Sequence, residues 1–252
     1  MRTVVVGASS GLGRCIGVGL AQRGAHVALM ARRRGRLDDA AKEAGPGTLV
    51  VECDVTDEGS CKAAVAEAAE GLGGIDALVY APGIGPLVKL VDTDADTWRR
   101  VFETNVTGAA LVTAAAIPHL TESAGAAIYL SSVSASQTPP WPGLGAYAVS
   151  KAALDKLVEA WRAEHPDVGF TRVIVGDCAG GEGDARTQFN EGWDMEVAAE
   201  VVPTWLSRNY IIGNLMDVDR MVAMVHALLK DGATLSVPSI TLAPRPPAPQ
   251  AT

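Results

Sequence analysis

Short apolar, β-branched runs alternate along the chain with Ala-rich stretches in which apolar residues recur every three or four positions. The runs predict strands at Thr3–Val6, His26–Met30, Thr48–Cys53, Ile75–Tyr80, Ala126–Leu130, Val168–Val175 and Leu235–Leu242. The periodic stretches predict helices over Leu12–Arg23, Leu37–Ala44, Ser60–Gly71, Asp96–Ala116, Ala146–Ala163 and Val218–Lys230. The stretch before that last helix is Gly-rich and reads as irregular. The strand segments are continuously apolar rather than alternating, which suits strands covered on both faces. Strict strand–helix alternation with right-handed crossovers gives an α/β fold, a doubly wound parallel sheet of about seven strands flanked by helices. One such sheet uses nearly the whole chain. A single domain is expected over residues 1–243, followed by a Pro-rich tail over 244–252.

Hydrophobic residues make up 48% of the 252 and charged residues 20%, enough apolar material to bury a full core. The net charge of −8 argues against nucleic acid as a partner, because such a partner needs a basic face. No uninterrupted apolar run reaches ~18 residues, so no membrane span is expected. The apolar start is too short for a signal peptide and reads as a strand. Cys15, Cys53, Cys61 and Cys178 form no Cys-x-x-Cys pair, and with four scattered histidines they make no metal pattern. A cytoplasmic, reduced, metal-free protein is expected. Arg and Ala usage suggests a bacterial source with a GC-rich genome.

Chemistry first appears at the end of strand one, in Gly7-Ala8-Ser9-Ser10-Gly11-Leu12-Gly13. Gly7 lets the chain leave the strand tightly, Gly11 lets backbone approach a phosphate, and Gly13 lets the next helix pack close. The helix N-terminus then offers free N–H groups to a pyrophosphate. An ordinary strand–helix turn would also be Gly-rich, but the position after strand one favours a dinucleotide site. After strand two, where an NAD enzyme usually places an acid, stand Arg32, Arg33, Arg34 and Arg36. Cations are disfavoured ahead of a helix, so an anionic partner accounts for them better than a solvated charge run. NADP(H) is therefore expected, with Arg32 and Arg33 on its 2′-phosphate. At the end of strand three, Asp54 is a candidate acceptor for the adenine amino group and Val55 for packing on the ring. Asp at a strand end is also a common helix cap.

Tyr147 and Lys151 are spaced i, i+4 on a predicted helix and so face one side. An ammonium beside a phenol lowers its pKa and suits it to exchange protons with a substrate oxygen. A surface Tyr–Lys pair would show the same spacing. Ser131 and Ser132 end strand five, where a hydroxyl can donate to that oxygen. Asn105 sits inside the long fourth helix, followed by Thr and Gly, which is poor helix chemistry. The misfit predicts a kink there, able to hold a water that relays protons to Lys151.

Together the turn Gly7–Gly13, Asp54-Val55, Asn105-Val106-Thr107-Gly108, Ser131-Ser132 and Tyr147-x-x-x-Lys151 resemble the short-chain dehydrogenase/reductase family. The likeness runs from residue 1 to about 243, in the single-domain branch, and the ordered set is far more specific than any one motif. It implies a Rossmann-type fold and a catalytic tetrad of Asn105, Ser132, Tyr147 and Lys151. It implies cofactor contacts from Gly7, Ser9, Ser10, Gly11, Leu12, Gly13, Arg32, Arg33, Asp54, Val55, Ala81, Gly83, Tyr147, Lys151 and Thr187. It also implies a homodimer or homotetramer. Three departures stand out. Tyr80-Ala81-Pro82-Gly83 replaces the usual Asn-Asn-Ala-Gly, and Asp177–Gly183 replaces the usual Pro-Gly, with Thr187 a candidate for the threonine that follows it. The spacing from Ser132 to Tyr147 is longer than usual. Either 138–142 is an insertion or Ser134 is the catalytic serine; strand register favours Ser132.

A substrate lid is expected over 183–213. Trp141, Trp193, Trp205, Phe189, Met195 and Tyr210 cluster in the segments that should form the substrate mouth. As lid core they would be bland; facing the cleft they favour a bulky apolar ketone or secondary alcohol. An NADPH-dependent oxidoreductase is thus expected. The alternatives are a nucleotide-binding relative without redox turnover, acting as a sensor, and a dehydratase or epimerase on the same fold.

Overall fold

The computed structural model describes residues 1–181, 183–211, 213–232 and 234–245. The tail expected over 244–252 therefore lies almost wholly outside the described residues. Seven parallel strands form one sheet in the order β3-β2-β1-β4-β5-β6-β7. They are β1 (Arg2–Val6), β2 (His26–Ala31), β3 (Leu49–Glu52), β4 (Ala77–Tyr80), β5 (Ala126–Ser132), β6 (Gly169–Val175) and β7 (Ser239–Leu242). The order reverses between β1 and β4, which opens a crevice at the carboxyl ends of the strands.

Alternate residues of each strand feed different layers, as the pleat demands. Val4 and Val6 join the core under α3 (Glu58–Leu72), α5 (Gly108–Ser123) and α7 (Gly145–Glu164). Val5 and Leu29 join the core under α1 (Gly11–Gln22), α2 (Arg34–Ala44) and α9 (Val218–Asp231). Burial on both faces explains the continuous apolar runs. A third cluster, centred on Leu87, Leu144, Ala198, Val201 and Trp205, caps the carboxyl end of the sheet.

Four elements differ from the sequence expectation. β7 begins at Ser239 rather than Leu235, because Pro238 supplies no N–H; its carbonyl instead accepts from Arg172 N at 3.1 Å. The stretch expected to be irregular contains α8 (Met195–Ser207), capped by Asp194, whose Oδ1 accepts from Glu196 N at 2.8 Å. A short helix, α6 (Val133–Ser136), follows β5. The fourth helix is α4 (Ala95–Phe102), a π-helical turn at Glu103–Thr107, and α5. The predicted kink at Asn105 is that π turn. Through it the helix runs from Ala95 to Ser123, long and apolar enough by length and composition to cross a membrane, a segment the sequence reading did not expect. Its buried side chains, Val112, Ala116 and Leu120 among them, belong to the core layer beside α3.

Candidate active site

The crevice is a cavity of about 710 Å³ running from the Gly-rich turn to the aromatic cap. Gly7 has φ +79°, and a Cβ on it would lie 2.9 Å from Pro82 N. A Cβ on Gly13 would strike the Gly7 carbonyl. The turn is thus closed on itself from below and open to the cleft above. Ser10 is the N-cap of α1 but makes no side-chain cap. Its hydroxyl accepts from Arg33 Nη2 at 2.9 Å instead, while Ser9 Oγ accepts from the same guanidinium at 2.7 Å. The first N–H groups of α1 are left for an anion.

Arg33 is also the N-cap of α2 and caps it with no side-chain bond. Burial and the neighbouring charges of Arg36 and Arg32 push its pKa down, with Glu191 opposing. A crowded, partly desolvated guanidinium at a helix N-terminus is a site short of negative charge. Arg32 lines the cleft beside it. These groups fit a phosphorylated dinucleotide. Beyond the arginines the cleft is lined by Cys53, Val55 and Thr56. The Asp54 carboxylate turns back on its own loop: Oδ1 accepts from Thr56 N at 3.0 Å and Thr56 Oγ1 at 2.8 Å. Both of these bonds fall on Oδ1. Asp57 caps α3.

On the opposite wall, β5 and α7 bring Ser132, Tyr147 and Lys151 together. Burial pushes the Tyr147 phenol up to about 12, and its hydrogen bond with Ser132 pulls the other way. Ser132 Oγ lies 2.9 Å from Ser134 Oγ. Lys151 is 3% exposed and donates to the Leu130 carbonyl at 2.7 Å. Burial pushes its ammonium down to about 8, opposed by the Asp155 carboxylate. Its Nζ is 5.9 Å from the Tyr147 ring centroid.

Asn105 is fully buried and its amide is committed. Oδ1 accepts from Ile84 N at 2.9 Å, and Nδ2 donates to Ile84 O at 3.0 Å and to Ser150 Oγ at 2.9 Å. Ser150 in turn donates to the Tyr147 carbonyl at 2.7 Å. Both amide hydrogens are used, so this side chain clamps the 83–85 turn to α7. Ala81 and Gly83 line the cleft beside it, and a Cβ on Gly83 would sit 3.2 Å from Lys151 Nζ.

Thr187 lies over the Gly-rich turn, donating its N–H to Ala179 O at 2.8 Å. Next to it Gln188 accepts from Arg33. Sequence reasoning missed Gln188 and Gly85. A Cβ on Gly85 would collide with the Phe189 ring, which meets the Tyr147 ring edge-on at 4.8 Å. Beyond Phe189 the aromatic wall continues through Trp193, Trp205 and Trp141. Each indole N–H is already bonded: Trp193 to Gly85 O at 2.9 Å, Trp205 to Pro142 O at 2.9 Å, and Trp141 to Thr138 Oγ1 at 3.2 Å.

A family model for short chain dehydrogenases matches residues 2–192. The chain belongs to the short-chain dehydrogenase/reductase family, and it is a dinucleotide-binding oxidoreductase fold of that family. It is 40% identical over 172 residues to a short chain dehydrogenase of Pseudocercospora fijiensis, an alignment covering 66% of this chain and 55% of that one. It is 34% identical over 179 residues to 11-beta-hydroxysteroid dehydrogenase-like 3 of Arabidopsis thaliana, covering 69% and 57%. The chain thus spans a little over half of each relative's length. A solved short-chain type dehydrogenase/reductase from Mycobacterium marinum superposes with TM-score 0.81 at 25% identity, covering 96% of this chain and 93% of that one. The sequence relatives are fungal, plant and human, so they give no support to the bacterial source inferred from composition.

Proposed function

We propose that this protein is an NADPH-dependent carbonyl reductase acting on a bulky, apolar ketone. The observation that carries the reading is that Ser132, Tyr147 and Lys151 line one cleft together with the Gly-rich cradle and the aromatic wall. When bound, the nicotinamide supplies the hydride. Gly7, Ser9, Ser10, Gly11, Leu12 and Gly13 would hold its pyrophosphate side, and Arg33 with Arg32 its 2′-phosphate.

Tyr147 Oη gives a proton to the substrate oxygen, and Ser132 Oγ donates a hydrogen bond to that same oxygen. With its pKa held up by burial, Tyr147 is protonated at neutral pH, which suits a donor in the reductive direction. Lys151 holds positive charge near the phenolate left behind. Asn105 fixes the height of α7 against the 83–85 turn. The bonded indole N–H groups leave the aromatic wall without polar demands, so apolar rings lose nothing by packing there.

The test compares kcat/KM for NADPH and NADH across polycyclic, aromatic and small polar ketones. NADPH with a large apolar ketone should be preferred. A preference for NADH removes the role given to Arg33, and turnover confined to small polar substrates removes the role given to the aromatic wall. Tight NADPH binding without turnover on any ketone would turn the assignment to a non-redox binder.

A further inference from the structure

Arg33 belongs to the turn after β2, yet its side chain is held from three places. It points Nε and Nη2 at Ser9 Oγ, at 3.2 and 2.7 Å, and Nη2 also at Ser10 Oγ, at 2.9 Å. Its other terminal nitrogen, Nη1, donates to Gln188 Oε1, from the segment beyond β6. Every one of these acceptors is neutral. Arg34 beside it pairs with Asp38 at 3.2 Å, and Arg14 on α1 pairs with Glu43 at 3.0 Å. Among the described residues no carboxylate forms such an ion pair with Arg33. Arg33 is thus a guanidinium fixed in direction by two hydroxyls and an amide, with its charge left for another group to match.

The backbone itself brings Gln188 to that position. Gly180 and Arg186 form an antiparallel bridge, and Thr187 N donates to Ala179 O at 2.8 Å. Thr187 Cα then lies 3.4 Å from where a Cβ on Gly11 would stand, so the strand passes directly over the cradle. On the far side Glu191 N donates to Gln188 O at 3.0 Å. Gln188 is therefore pinned before and after, half-buried, in the wall of the same cleft as Arg33. A cation turns the amide oxygen toward itself, and Nε2 keeps its hydrogens unspent among the described residues.

We propose that Gln188 is a specificity-determining residue for the cofactor: with Arg33 its amide forms, from the lid side, a seat for the phosphate on the ribose 2′ position. Oε1 holds the guanidinium in place, and Nε2 donates to the phosphate. Because the amide is neutral, it orients the arginine without consuming its charge. A carboxylate at the same position would pair with Arg33 and repel the incoming dianion, so the choice between glutamine and glutamate here is a choice between nucleotides. The inference rests on the reading that Arg33 meets the 2′-phosphate, and it adds a contact from a different part of the chain.

The experiment is a set of calorimetric titrations of the full chain, which need no turnover. The probes are NADPH and NADH, and the fragments adenosine 2′,5′-bisphosphate and 5′-AMP. Gln188→Glu should weaken both 2′-phosphorylated probes by about 10–100-fold, the worth of a charged hydrogen bond, and leave the other two within about 2-fold. Gln188→Ala should weaken the same two by about 3–10-fold, the worth of a neutral one. A merely structural role would weaken all four probes alike, so equal losses, or no loss in Gln188→Glu, overturn the proposal. If Gln188→Glu does not fold, Gln188→Ala decides by the same comparison. Arg33→Ala separates the two claims. Equal losses for NADPH and NADH in that variant refute the 2′-phosphate reading and this inference with it. A loss confined to NADPH in Arg33→Ala, with none in the Gln188 variants, keeps that reading and refutes the part given to Gln188.

Discussion

Replacing Lys151 by Met removes an ammonium that folding has forced out of water. Burial takes that group from 10.5 to about 8, a penalty of ~3 kcal/mol at about 1.4 kcal/mol per pH unit. The sign follows from proton counting. Between those two values the unfolded chain holds the proton and the folded chain does not, so folding improves as pH rises through that window. Below it the penalty is present in full. Lys151→Met escapes the penalty but leaves the Leu130 carbonyl without its donor, a loss of about 1–2 kcal/mol. Near neutral pH the variant should therefore be the more stable protein by about 1–2 kcal/mol, or roughly 2–8 °C in Tm for a chain this size. The advantage should shrink by ~3 kcal/mol as pH approaches 10.5. Thermal unfolding of both proteins by circular dichroism, at half-unit steps across that range, measures it. A gap that does not change with pH would refute the claim that Lys151 is held in the fold at electrostatic cost. The same variant should lose oxidoreduction, which makes the cost the sign of a functional group.

Further outcomes follow from the same geometry. Arg33→Ala should weaken NADPH by about 10–100-fold, the worth of a charged hydrogen bond, with little effect on NADH; equal losses for both would place the 2′-phosphate elsewhere. Ser132→Ala should lower kcat by ~10²–10³, as loss of an oxyanion donor does, and Ser134→Ala far less; the reverse ranking would transfer the role to Ser134. Gly85→Ala should cost about 1–3 kcal/mol by driving its methyl into Phe189, and adding Phe189→Ala should recover part of that, measured as Tm.

Much of this was readable before any coordinates. Strand-by-strand apolar runs fix the sheet because each strand is buried on both faces, and Gly7, Gly11 and Gly13 mark the cradle because only glycine permits their approach. The π turn was announced by Asn105 in a helix that should not hold it. What stayed hidden depends on contacts distant in sequence. Gly85 looks like any loop glycine until Phe189, from a segment beyond β6, packs against it. Gln188 acquires meaning only beside Arg33. Helix α8 was concealed by Pro203 and the surrounding glycines, although Asp194 followed by apolar positions 197, 198, 201 and 205 was a usable signal. Asp54 suits an adenine contact and a local turn alike; the fold shows the local turn, with Thr56 bonded to Oδ1.

The most direct measurement follows NADPH consumption with a panel of large apolar ketones in the wild-type protein and in Tyr147→Phe. The account predicts turnover in the first and a loss of ~10²–10⁴ in the second, the worth of a general acid, with NADPH affinity kept within a few-fold. Retained turnover after loss of that one hydroxyl would contradict it.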